Sequence, residues 1–71
     1  MADGSVYEGW FHKGLKEGKG VFEWANGEVY DGQWIAGKKN GSGMWKSPKG
    51  DTYLGEWKNG AIEGFGVLTI R

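Results

Sequence analysis

Aromatic and polar residues alternate along short stretches of this chain, and glycine-rich or charged segments separate the stretches. In residues 7–11 (YEGWF) the odd positions share one face of a predicted strand, because side chains alternate across a strand. Residues 18–24 (GKGVFEW) continue with the same period of two, which places Phe22 and Trp24 on the face of their glycines. Residues 12–17 predict a polar loop centred on Gly14, so the two strands form an antiparallel hairpin.

The hairpin pattern occurs three times at a fixed step of 23 residues. The five glycine positions of each copy account for all 15 glycines, and such a period indicates stacked supersecondary units. The prediction is an all-β fold, an elongated and twisted antiparallel meander of about six short strands. It is a single array over residues 1–71, with repeats at about 7–29, 30–52 and 53–71, the last one truncated. Because residues 2–6 align with residues 25–29, we expect an excerpt of a longer array.

The connections between repeats are predicted to be shorter than the loops inside the hairpins. Asn26 and Gly27 form a pair that tolerates positive φ and is a strong hairpin signal. Pro48 and Gly50 suit the equivalent turn of the second copy. No helix is predicted, since glycine never leaves more than six residues uninterrupted.

Aromatic rings are predicted to pack over glycines, because a ring lies flat on a strand only where the neighbouring position has no side chain. The structural glycines are Gly9, Gly18, Gly20, Gly32, Gly41, Gly43, Gly55, Gly64 and Gly66. The aromatic ladder that they support comprises Tyr7, Phe11, Phe22, Trp24, Tyr30, Trp34, Trp45, Tyr53 and Trp57. The opposite face is mixed, with Val21, Met44 and Val67 at one register position among charged residues.

This frame of tyrosine, acid, glycine and tryptophan, followed by Gly-x-Gly and an aromatic strand, resembles the MORN repeat over essentially the whole chain. The resemblance implies one hairpin per repeat and a role in protein contacts, self-association or, in some members, contact with anionic lipid. Four positions depart from the pattern: Trp10 and Gln33 fill a slot that is usually acidic, Phe11 replaces the tryptophan, and Leu54 replaces the acid after the tyrosine. Trp10 and Leu54 therefore add apolar surface to the mixed face.

Composition narrows the function classes. Nine basic and nine acidic side chains balance, so no net field favours nucleic acid or a membrane. The chain has no cysteine, which excludes disulfides and thiol catalysis. No apolar run approaches membrane-span length, and residues 1–4 lack the basic start and apolar core typical of a signal peptide. We expect an intracellular protein, cytoplasmic or peripheral at a membrane.

The sequence offers no catalytic, metal or cofactor site. Residues 37–43 (GKKNGSG) resemble a phosphate loop, but a strand rather than a helix follows them. His12 is the single histidine, and its neighbours Lys13 and Lys16 are not metal ligands. The prediction is therefore a protein that is not an enzyme and binds no cofactor.

Three binding roles stay open. The favoured one is a scaffold whose aromatic ladder contacts a protein partner, since aromatic residues anchor interfaces. The alternative is recruitment to acidic phospholipid, such as phosphoinositide or phosphatidic acid, by lysines predicted on the hairpin loops: Lys13, Lys16, Lys19, Lys38 and Lys39. The third is self-association, for example as a homodimer, through edge strands or facing aromatic surfaces. Nucleic-acid binding is disfavoured, because the basic and aromatic residues are predicted in different places.

Overall fold

A computed structural model describes residues 4–71, and all of its regular structure in that range is β-strand. The strands are β1 (Val6–His12), β2 (Leu15–Glu23), β3 (Val29–Ile35), β4 (Lys38–Lys46), β5 (Thr52–Lys58) and β6 (Ala61–Thr69). They form one sheet in sequence order, with every neighbouring pair antiparallel. The predicted meander of six strands is confirmed. The alignment of Ala2 and Asp3 with a turn lies outside the described residues.

The sheet is a single layer. Its principal dimensions are 35 × 27 × 15 Å. No second sheet or helix covers either face within residues 4–71. The fold therefore buries side chains only against neighbours on the same face.

The strand register repeats from unit to unit. Tyr7 lies opposite Phe22 inside the first hairpin, and Tyr30 lies opposite Trp45 inside the second. Each hairpin also has a register shift after its paired glycines, at Gly9, Gly32 and Gly55. In the first hairpin three residues of the second strand (17–19) lie opposite the single residue Trp10 at this shift, so the second strand bulges there.

The predicted six-residue loop inside each hairpin is wrong. The strands are joined by two residues with positive φ, such as Lys13 (φ 52°) and Gly14 (φ 79°), so β2 already begins at Leu15. Two left-handed residues match the twist of a tight hairpin. The polar residues Lys16 and Glu17 suggest a loop, but they belong to β2.

The predicted order of connection lengths is also wrong, because the longer connection lies between repeats. Residues 24–28 join β2 to β3, and the Trp24 amide donates to the Glu28 carbonyl at 2.8 Å. The Asn26 side-chain oxygen accepts from the Glu28 amide at 2.9 Å, which closes the turn locally. Only Gly27 of the Asn-Gly pair has positive φ, so the pair does not form a two-residue hairpin turn.

Rings do pack over glycines, in each of the three hairpins. A Cβ added at Gly20 would lie 2.6 Å from Tyr7 Cζ, and one at Gly43 or Gly66 would overlap the ring of Tyr30 or Tyr53. Such distances are too short for real carbon contacts. Glycine at these positions lets each tyrosine ring lie on the partner strand.

Gly18, Gly41 and Gly64 have a different role from the predicted one. An added Cβ at Gly18 would face the Trp10 side chain at 3.8 Å, and one at Gly64 would meet no atom within 4 Å. All three have positive φ, from 72° to 79°, because they lie in the bulges. Backbone conformation rather than ring packing therefore requires glycine there.

Candidate interaction surfaces

The nine predicted ladder residues are on one face of the sheet, which we call the aromatic face, but most of their surface is buried. Phe22, Tyr30, Trp34 and Trp57 form the hydrophobic core. Tyr7, Trp24, Trp45 and Tyr53 are half-buried against it. Phe11 alone of the nine is exposed, at 60%. The rings are chiefly the core of the sheet, and their rims supply the accessible surface.

The rings meet edge to face across repeat boundaries. Tyr30 contacts Trp34 of its own repeat at 5.0 Å and Trp57 of the next repeat at 5.3 Å, both nearly perpendicular. Tyr7 contacts Trp34 in the same way at 5.7 Å. Edge-to-face pairs at these distances are favourable beyond simple area burial. The ladder therefore joins consecutive repeats.

Each core tryptophan also forms a hydrogen bond to the preceding repeat. Trp34 Nε1 donates to the Gly20 carbonyl at 3.0 Å, and Trp57 Nε1 donates to the Gly43 carbonyl at 3.1 Å. Both bonds are buried and both span 14 residues. The indole thus fixes the position of each repeat relative to its predecessor.

Two of the candidate lipid-binding lysines lie on the aromatic face, not on loops as predicted. Lys16 Nζ is 5.1 Å from the centroid of the Phe22 ring and 5.3 Å from that of Trp34. Lys39 Nζ is 5.0 Å from Trp57 and 5.2 Å from Trp24. The prediction failed because the strands start earlier than expected. Lys16 has the same parity as Gly20 and Phe22 in the sequence, and this parity is a signal that could have placed it on the aromatic face.

Burial and charge act in opposite directions on Lys39. Desolvation lowers the pKa of its ammonium, and the negative charge of Glu28 raises it, with desolvation the larger effect. The Glu28 carboxylate accepts hydrogen bonds from Asn26 at 3.0 Å and from Trp45 Nε1 at 3.2 Å, which lower its own pKa. The residue equivalent to Glu28 one repeat earlier is Ser5, so Lys16 does not have this carboxylate.

The structure does not bring the five predicted lysines together. Lys13 lies in the first tight turn and is exposed, and Lys38 begins β4 beside the second turn and is also exposed. Lys19 lies in β2 and lines a depression of about 310 Å³ on the face opposite the rings. The five lysines therefore lie in three separate places: at the end of the sheet that carries the tight turns, on the aromatic face and on the opposite face.

The opposite face carries an apolar row that the sequence partly indicated. Val21, Met44 and Val67 lie in one cross-strand line with Asp31 and Leu54 between them, as the register shows. Leu54 is 57% exposed and Val67 is 64% exposed. The row becomes more apolar toward β6.

The described residues contain no cluster of three or more acidic, histidine or cysteine side chains able to hold a metal ion. Nor does any helix of sufficient length and hydrophobicity to span a membrane occur between residues 4 and 71. Residues 37–43, the loop compared with a phosphate loop, form the second turn and the start of β4.

Comparison with known sequences agrees with the geometry. A search of curated proteins gives no match. The family description MORN repeat matches residues 7–29, 30–52 and 53–71, which are the three hairpin units. Repeats of this family are generally non-catalytic and occur in modules that contact proteins or membranes. The chain belongs to the MORN-repeat family.

Proposed function

We propose that this protein is a non-catalytic interaction module whose aromatic face binds an acidic segment of a protein partner. One observation carries the proposal: Lys16 and Lys39 each hold an ammonium over three aromatic rings, one repeat apart. A free lysine side chain is flexible and strongly hydrated, and ordering it on binding costs conformational entropy. Contact with the rings reduces that cost before the partner arrives.

The spacing of the two cations limits the partner. Lys16 is in β2 and Lys39 in β4, at equivalent positions of their repeats, so their strands are two steps apart. At about 4.8 Å per step the ammonium groups lie roughly 10 Å apart across the strands. A bound segment should therefore present two carboxylates at about this separation.

Exposed apolar side chains lie on the same face at both ends of the ladder. Phe11 is 60% exposed at one end, while Ile62 and Leu68 are 55% and 58% exposed at the other. Ile62 occupies the position that Lys16 and Lys39 have in earlier repeats. The equivalent positions on this face are therefore lysine, lysine and isoleucine in consecutive repeats. This order would allow a partner to bind in only one orientation along the sheet.

Selection from a library of displayed peptides tests this proposal without knowledge of the natural partner. We expect the retained peptides to be enriched in Asp and Glu and to bind less tightly as salt increases. Replacing both lysines in the variant Lys16→Met/Lys39→Met keeps the stems over the rings and removes the charges. This variant should lose the selected acidic peptides.

A matched control is Lys46→Met, because Lys46 is an exposed lysine of β4 on the opposite face. It should bind the selected peptides as tightly as the parent protein does. An enriched pool without acidic residues, or equal binding by the double methionine variant, would contradict the proposal.

A second candidate function is recruitment to acidic phospholipid. The observation that favours it is the position of the three tight turns at one end of the meander, where Lys13, Lys38 and Lys58 are exposed. A lysine near an anionic bilayer contributes about 1 kcal/mol, so reversing Lys13 and Lys38 should weaken binding at least about 30-fold.

Sedimentation with vesicles that contain or lack acidic lipid measures this candidate directly. The variant Lys13→Glu/Lys38→Glu should no longer sediment with acidic vesicles. Lys49→Glu is the control, because Lys49 is exposed in a connection at the other end of the strands. Equal loss in the control, or equal binding to neutral vesicles, would exclude recruitment by the turn end.

A further inference from the structure

The outermost strands β1 and β6 each have one edge without a partner strand inside this chain. Every residue of β6 is exposed, although the equivalent strands β2 and β4 contain buried residues. Exposed strand edges are templates for pairing with another chain. The two edges are of different kinds, since β6 is the third copy of β2 while β1 is the first copy of β3.

The junctions between repeats show how two such edges fit. β2 pairs with β3 so that Gly20 lies opposite Gly32, and β4 pairs with β5 so that Gly43 lies opposite Gly55. Neither junction contains a register shift. Continuing the step of 23 residues places Gly66 of one molecule opposite Gly9 of a second copy.

This register brings together the two most exposed aromatic side chains. Phe65 is 95% exposed in β6 and Trp10 is 72% exposed in β1. The internal pairs at the same junction position are Lys19 with Gln33 and Ser42 with Glu56, both polar. Only in the pair formed by Phe65 of one copy and Trp10 of the next would both residues be aromatic. Cross-strand aromatic pairs stabilise a sheet.

The hairpin turns add hydrogen bonds across each junction. Inside the chain, the Gly37 amide donates to the Lys16 carbonyl at 2.9 Å and the Ala36 amide donates to Glu17 Oε1 at 3.3 Å. Gly60 and Asn59 make the equivalent bonds to Lys39 and Asn40. At the end of the sheet the acceptor position is Glu63, and the equivalent donor is the backbone amide of Lys13 in a second copy. The Glu63 carboxylate would therefore accept a hydrogen bond from the Lys13 amide.

One position makes this junction weaker than the internal ones. The internal tryptophans Trp34 and Trp57 each donate an indole N–H to a glycine carbonyl of the preceding repeat. Phe11 occupies their position in β1 and has no such donor. Its ring can still cover Tyr53 and Leu68, but the Gly66 carbonyl gains no indole bond. We therefore expect association that depends on concentration.

We propose that β6 of one molecule pairs with β1 of a second copy and continues the sheet head to tail, with Phe65 against Trp10. The contact is heterologous, so each added copy leaves one free β1 edge and one free β6 edge. The assembly is open and grows with concentration. This inference uses the sheet edges and does not depend on an acidic partner at the aromatic face.

The test uses two variants of the whole chain, each with one edge blocked by lysine. Phe65→Lys/Val67→Lys blocks β6, and Glu8→Lys/Trp10→Lys blocks β1; all four side chains are exposed, so the fold should tolerate the changes. Sedimentation equilibrium from micromolar to millimolar concentration should show growth of the parent protein beyond its 7.8 kDa mass. Each variant alone should stay monomeric.

The mixture of the two variants is the decisive measurement. The intact β6 of one and the intact β1 of the other should form a one-to-one dimer and then stop. A parent protein that stays monomeric throughout would overturn the proposal. So would a variant that dimerises alone, which indicates pairing of like edges, or a mixture that does not associate although the parent does. Melting curves at low concentration verify that both variants fold.

Discussion

The substitution Gly43→Ala tests the ring-over-glycine packing at its most buried point. The added Cβ would overlap the hydroxyl, Cζ and Cε1 atoms of Tyr30, a residue with no exposed surface. The Cα of Gly43 faces Gly32 on the neighbouring strand β3. The backbone of Gly43 therefore cannot move in that direction to make room for the ring. The ring must therefore leave its position.

The cost follows from what the ring loses. A tyrosine buries about 150–250 Å², worth about 4–6 kcal/mol at 25 cal/mol per Å² if it were expelled completely. Half of that, together with weakened edge contacts to Trp34 and Trp57, gives roughly 3–4 kcal/mol. Replacing glycine also restricts the unfolded chain, which returns about 0.4–1 kcal/mol. The net expectation is a loss of about 3 kcal/mol, or about 12–24 °C in melting temperature for a domain of this size.

Gly66→Ala is the matched comparison. Its Cβ would overlap Tyr53 in the same way, but Tyr53 is only half-buried, and its ring contact is to Trp57 at 5.7 Å. That ring can turn toward solvent, so the loss should be about 1 kcal/mol. Lys13→Ala, in an exposed turn, should change the melting temperature little. Thermal unfolding followed by circular dichroism measures all three. Equal melting temperatures, or a larger loss for Gly66→Ala, would refute the packing argument.

Three further predictions concern a turn, an indole and a carboxylate. Ala36 has φ 50°, a left-handed conformation that asparagine adopts more readily, so Ala36→Asn should raise the melting temperature, and no rise would contradict the turn assignment. Trp57→Phe removes a buried indole hydrogen bond and should cost about 1 kcal/mol in urea unfolding, more than Trp45→Phe, whose indole bond is only partly buried. Hydrogen bonds from Asn26 and Trp45 lower the pKa of Glu28 below its ordinary 4.5. The stabilisation from the Glu28 carboxylate is therefore present above pH 4.5 and lost as pH falls through the lowered value, so Glu28→Gln should flatten the acid side of a stability profile measured by urea midpoints.

The repeat period determined most of the fold in advance. Alternation in residues 7–11 and 18–24, multiplied by the step of 23, was enough to predict six antiparallel strands and the rings over Gly20 and Gly43. These features depend on side-chain parity and on the absence of Cβ atoms. Both can be read from residue types.

Turn geometry could not be read in the same way. The Asn-Gly signal at residues 26–27 pointed to a tight hairpin, yet the two-residue turns lie at Lys13, Ala36 and Asn59, each followed by glycine. Asn59 and Gly60 do form such a pair at the third turn. Lysine and alanine rarely adopt positive φ, so their chemistry does not mark the first two turns; tertiary pairing of the strands imposes them. Because the tight turns were not recognised, the second strand of each hairpin was predicted to start too late, and Lys16 was assigned to a loop instead of to the aromatic face. The sequence could not predict which partner binds the aromatic face, because side-chain parity and glycine spacing determine the fold of this chain and contain no information about another molecule.

Because every strand pairs only with the strands before and after it in sequence, no contact in the sheet requires the two ends of the chain to meet. The junctions on both sides of residues 30–52 have the same register, with Gly18 opposite Trp34 and Gly41 opposite Trp57. Excising that segment would therefore bring Gly18 opposite Trp57 and leave a shorter sheet with the same local contacts. The sheet can therefore gain or lose whole hairpins without changing its local contacts. Each hairpin added or removed would also change the number of lysines and aromatic rings that the sheet presents to a partner.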